Sequence, residues 1–134
     1  MNPYTKKSLI HFILSFAALA LGITVFIMIS GSIFDSMNQP VNEESGLATL
    51  GKVLAVFAGA ILVLFVGIID AVFTSMLVYM FAYFSNNNAK YAIESGDTTN
   101  TPKTLKFLSL IEMIFAAIIA ITGGLLMIAV FAFM

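Results

Sequence analysis

Two carboxyl side chains stand in surroundings made almost wholly of hydrocarbon. Asp70 lies in the middle of FVGIIDAVFTSM, residues 65–76, and Glu112 follows Leu108-Ser-Leu-Ile111. An acid placed in this way has two uses. It can carry a proton or bind a cation, or it can hold helices together through a hydrogen bond. An acid at a bilayer centre costs roughly 2.5–3.5 kcal/mol on insertion scales, so such groups face protein, not lipid. His11, Thr24 and Thr122 are the other polar candidates within apolar stretches.

Little else in the chain could do chemistry. There is no cysteine, which excludes disulfides, thiolate metal sites and a cysteine nucleophile. With one histidine, at the edge of an apolar run, neither a histidine metal site nor a Ser-His-Asp set is expected. Gly123-Gly124 lies inside an apolar run and is no phosphate loop. Glu43 and Glu44 lack calcium-ligand spacing and read as solvated charge. Asn86-Asn87-Asn88 reads as a polar helix exit. Methionines 28, 76, 80, 113 and 127 read as adaptable packing. No enzyme activity, metal or cofactor is expected. All six basic residues are lysines and net charge is −1, so no basic face suggests nucleic acid as a partner.

The elements that must position these groups follow from composition. Of 134 residues, 60% are hydrophobic and 10% charged, against about 25% charged in soluble domains. A soluble globule of this size could not hide so much apolar surface. Three apolar segments, 9–29, 47–84 and 105–134, each meet the roughly 20 residues that a membrane-spanning helix needs. No alternating pattern of about ten residues suggests barrel strands. The expected fold is an all-α membrane protein in one domain: a bundle of three transmembrane helices at about 5–35, 47–95 and 102–133. The second is long and projects into the cytoplasm.

Two alternatives bear on this. Lys6-Lys7 and Ala18-Leu19-Ala20 imitate a secretory signal, but the apolar run continues to Ile29, past the usual 7–15 residues of a signal core. An uncleaved first helix is favoured. The second segment would also suit two short helices meeting near Gly67. No turn-forming residue pair stands there, so one long helix is favoured. Gly96 suits a left-handed helix end, while Thr101 and Pro102 suit a helix start.

Lysines set the expected orientation. Lys6, Lys7, Lys90, Lys103 and Lys106 flank the N-terminus and second connection, and Lys52 alone lies near the first. Cytoplasmic loops carry the excess of Lys and Arg, which places the N-terminus inside and the C-terminus outside the cell membrane. The four tyrosines would then lie near the cytoplasmic boundary.

Small residues recur four apart in the second segment: Gly51, Ala55, Gly59, Gly67, Ala71 and Ser75, with Val63 the exception. Ala116, Ala120 and Gly124 continue the pattern in the third, and Gly22 ends a stripe of His11, Ser15 and Ala18 in the first. Such rows form grooves for close helix approach. Counted inward from the cytoplasmic side, Asp70 lies about 21 Å deep, level with Thr24 and Thr122. A buried trio of these three is expected. A second cluster of Glu112, His11, Ser15 and Tyr79 is expected nearer the surface.

Tyr83-Phe84-Ser85, Ala92, Ser95-Gly96-Asp97 and Leu105-Lys106-Phe107 together resemble small bacterial integral membrane proteins filed as domains of unknown function. The resemblance covers roughly residues 75–115. It implies an aromatic-rich helix running into the cytoplasm, an acidic turn and a Leu-Lys helix start. It implies no activity. The Asn run departs from it, since more basic residues are usual there.

Two function classes fit these residues. One is a structural or accessory membrane protein that packs through Gly/Ala faces, with the lipid bilayer and a homo-oligomer or larger membrane complex as partners. The other is an oligomeric channel, holin-like pore or proton-coupled transporter using Asp70 and Glu112. The apolar C-terminus counts against a holin. The first is favoured.

Overall fold

The computed structural model describes residues 1–37 and 46–134. Glu43, Glu44 and the rest of the first connection lie outside the described residues. Three helices account for nearly everything else: α1 (Pro3–Met37), α2 (Gly46–Glu94) and α3 (Asn100–Phe133). No strand occurs among the described residues. Each helix is long and apolar enough to cross a membrane. At 1.5 Å per residue the 49 residues of α2 reach about 74 Å, against a hydrocarbon core of about 30 Å. It is one helix through Gly67, as the lack of a turn pair requires.

α2 is the central rod. α1 packs along one side of it and α3 along another, and these two scarcely meet. The packing is inverted relative to a water-soluble core. Phe57, Phe73 and Phe115 are each about two-thirds exposed. The positions with no exposure are small: Ala82, Ala89 and Ala92, with Ser8, Ser15, Ser85 and Ser109. Small residues inside and bulky apolar residues outside suit helices whose backbones approach closely in a solvent as apolar as leucine.

The buried residues follow a seven-residue rule. On α2 the buried row runs Ser75, Val78, Ala82, Ser85, Ala89 and Ala92, at steps of three and four, with Gly59 and Asn86 buried outside it. On α3, Leu105, Ser109, Glu112, Ala116 and Gly123 keep the same register, with Glu112 half-buried and the others buried. On α1, Ser8, Ser15 and Gly22 stand seven apart. A period of 3.5 is the left-handed, coiled-coil type of seam.

The four-residue stripe of α2 is not one packing face. Gly51 and Ala55 are exposed, and nothing lies within 4 Å of where a Gly51 side chain would begin. Gly59 is buried under Met37, Gly67 and Ala71 are half-buried, and Ser75 joins the seam. At 3.6 residues per turn each step of four drifts by about 40°, so six steps rotate about 240° around the helix. A straight neighbour cannot follow it. On α3, Ala116 is buried and Ala120 half-buried. Gly123 is the close contact, against Val72, while nothing lies within 4 Å of a side chain at Gly124.

α2 ends at a left-handed glycine. Gly96 has φ +98°, its N–H donates to Ile93 O (3.2 Å), and Asp97 N–H donates to Ala92 O (3.0 Å). This is the paired closure of a Schellman end. α3 starts earlier than Thr101, because Thr99 takes the extended cap position and Asp97 Oδ1 accepts from Thr99 N–H (3.0 Å) and Thr99 Oγ1 (2.6 Å).

Candidate functional site

The polar contacts form a ladder that begins at the α2–α3 turn and runs into the bundle. At the turn, Asn2 Nδ2 donates to Ser95 Oγ (2.9 Å), and Thr5 Oγ1 donates to Asp97 Oδ2 (2.6 Å). These bonds tie the start of α1 to the turn. Accepting from Thr5, then from the Thr99 hydroxyl and N–H, holds the Asp97 carboxyl below its ordinary value, because each bond favours the charged form.

The next rung joins α1 to α2. Ser8 Oγ donates to Ser85 O (2.7 Å) and Ser85 Oγ donates to Ser8 O (2.8 Å). Each buried hydroxyl thus satisfies the other's backbone. Asn86 Nδ2 donates to Lys106 O (2.9 Å) and links α2 to α3. The Asn run therefore contributes a buried interhelical bond.

The innermost rung crosses directly between α1 and α3. Ser15 Oγ and Glu112 Oε2 are 2.5 Å apart, and Ser15 Oγ is also 2.5 Å from Phe12 O. Beside them Ala18, Val78 and Ala116 form the apolar junction of the three helices, with Phe81 packed against it. The second oxygen, Glu112 Oε1, is buried and has no hydrogen-bond partner.

The remaining candidates are dispersed. His11 Nδ1 donates to Lys7 O (2.8 Å), and its ring lies against Phe84 at 5.6 Å between centroids. Tyr79 is exposed. Of the expected shallow cluster, the structure brings together only Glu112 and Ser15. Asp70 is half-buried and borders an open cleft of about 260 Å³ with Leu19, Ile23, Phe26 and Thr74. Thr24 is exposed and donates back to Ala20 O (2.8 Å). Thr122 is exposed and lines a larger apolar cleft of about 500 Å³ that shares Phe26, Gly67, Ala71 and Ile119 with the one at Asp70. Equal depth along separate helices does not turn side chains toward each other, and no hydrogen bond joins these three. Among the described residues no three His, Cys, Asp or Glu side chains group as metal ligands.

Sequence reasoning missed Thr5, Ser8, Ser85 and Asp97. A signal existed for Ser85. The small residues of α2 continue beyond Ser75 at steps of three and four, through Ala82, Ser85, Ala89 and Ala92.

No protein-family model matches the chain, and no curated protein or solved structure matches it. The site must be read from its own geometry.

Proposed function

We propose that this chain is a small multi-pass integral membrane protein with a structural or accessory role. In this reading the ladder end, with Lys6, Lys7, Lys90, Lys103 and Lys106, lies in the cytoplasm, and the first connection lies outside. The observation that carries the role is the filled seam. From Ser75 to Ala92 the three helices meet through alanines and serines with almost no exposure. The clefts around Asp70 and Thr122 are open and lined by residues of all three helices. One copy therefore supplies packing surface and a membrane anchor, and a conducting path would need several copies.

The first test is access. Single cysteines placed at Ser45 and Ser95 are to be labelled in intact and opened cells with a membrane-impermeant thiol reagent. Position 45 should react in intact cells and position 95 only after opening. The second test is flux. Purified protein in lipid vesicles should leak protons and potassium no faster than protein-free vesicles. A flux abolished by Asp70→Asn reverses the reading in favour of an oligomeric channel or transporter.

A further inference from the structure

Ser15 Oγ lies 2.5 Å from two other oxygens, Phe12 O and Glu112 Oε2. Two oxygens approach this closely only with a proton between them. Two such contacts need two protons. The serine hydroxyl supplies one and the backbone carbonyl none. The other must come from the carboxyl group.

We propose that Glu112 is a proton-binding site inside the bundle, held as the neutral acid and donating through Oε2 to Ser15. Ser15 in turn donates to Phe12 O. The proton is thus the bond that joins α1 to α3, two helices that otherwise scarcely touch.

A second observation points the same way. Glu112 Oε1 is buried without a partner. As half of a carboxylate it would hold charge with no donor to meet it, a costly state in an apolar interior. As the carbonyl of a neutral acid it leaves only one weak acceptor unmet.

Nothing nearby neutralises a carboxylate. On α1 the nearest titratable group is His11, whose Nδ1 is turned to Lys7 O. On α2, Tyr79 is exposed next to Val78, and Asp70 lies eight residues from Val78 and is itself an acid. On α3, Lys106 is exposed six residues before Glu112. Among the described residues no positively charged group reaches the carboxyl.

Proton occupancy and the bonding at this junction are then linked. Removing the proton leaves one serine proton for two acceptors, Phe12 O and a charged Oε2, so one of the two short contacts is lost. The inference does not depend on whether the protein is structural or conducting.

Infrared spectroscopy of protein carrying carboxyl-¹³C glutamate, reconstituted in lipid at pH 7, tests it. The chain has four glutamates, of which Glu43, Glu44 and Glu94 lie outside the apolar segments. The expected spectrum shows one neutral-acid carbonyl band, absent in Glu112→Gln and shifted in Ser15→Ala. If Glu112→Gln fails to fold, the Ser15→Ala shift alone assigns the band. A wild-type spectrum with only carboxylate bands overturns the proposal. So does a neutral-acid band unmoved by Ser15→Ala.

Discussion

At the scale of single residues, three glycines separate contact from composition. A side chain begun at Gly22 would collide with Thr74, whose Cβ would lie 2.8 Å away, and the backbone-proximal atom cannot swing aside. One begun at Gly123 would meet Val72 Cγ2 at 2.7 Å. Val72 is β-branched in a helix and has little rotamer freedom. One begun at Gly124 would meet nothing within 4 Å. Gly22→Ala and Gly123→Ala should therefore lower stability by about 1–3 kcal/mol through overpacking, with Gly22→Ala the more severe. Gly124→Ala should leave stability unchanged or slightly higher, since alanine is the better helix former. Denaturation of the three variants in one detergent checks the order, and a Gly124→Ala loss as large as that of Gly22→Ala would remove the contact argument. The sequence shows Gly123-Gly124 as a pair without saying which one meets a neighbour. Adjacent residues point about 100° apart, and only the placement of α2 selects between them.

At the scale of elements, the helix spans were legible and the packing faces were not. Length and hydropathy locate a span because the bilayer fixes its thickness. They do not mark a face, because these helices are apolar all round. A row of small residues four apart looked like a face, yet its drift carries Gly51 away from the side that holds Ser75. The steps of three and four from Ser75 to Ala92 were just as visible and are the seam. The innermost rung was read by stripe and by depth. The count from the membrane edge brought Ser15 level with Glu112, but it gave the same standing to His11 and Tyr79. The two readings of α2 predict opposite results from one type of substitution. Ala82 has no exposure, so Ala82→Leu must push α2 from its neighbours and should cost about 1–3 kcal/mol. Ala55 is exposed, so Ala55→Leu should change stability by less than about 0.5 kcal/mol. Thermal unfolding followed by helical circular dichroism distinguishes them, and greater harm from Ala55→Leu would restore the four-residue face.

At the scale of the whole molecule, the bundle is closed by polar bonds at one end and left with open apolar clefts farther along. The closed end is the one with the lysines, where water has access, so it is the end that acid can loosen. Asp97 is central to it. It accepts from Thr5 on α1 and from Thr99, the residue that leads into α3, while its own N–H closes α2. Its carboxyl is held below the ordinary aspartate value by those bonds, chiefly the one from Thr5. The sign follows from that. A depressed value means the folded state prefers the charged form, so the contribution is fully present at neutral pH and is lost as pH falls through the folded value, below about pH 4. The N-terminus of α1 should then part from the turn while the Ser8–Ser85 and Asn86–Lys106 rungs persist, because they are made of hydroxyl, amide and carbonyl groups that do not titrate. Amide resonances of Thr5, Asp97 and Thr99, followed from pH 7 to pH 2 in detergent, should shift together in one step, with those around Ala82 and Ala89 unmoved. Asp97→Asn keeps an oxygen acceptor but carries no charge, so it should abolish that step. The same acid step in Asp97→Asn would mean that the Thr5–Asp97 bond does not hold this end closed.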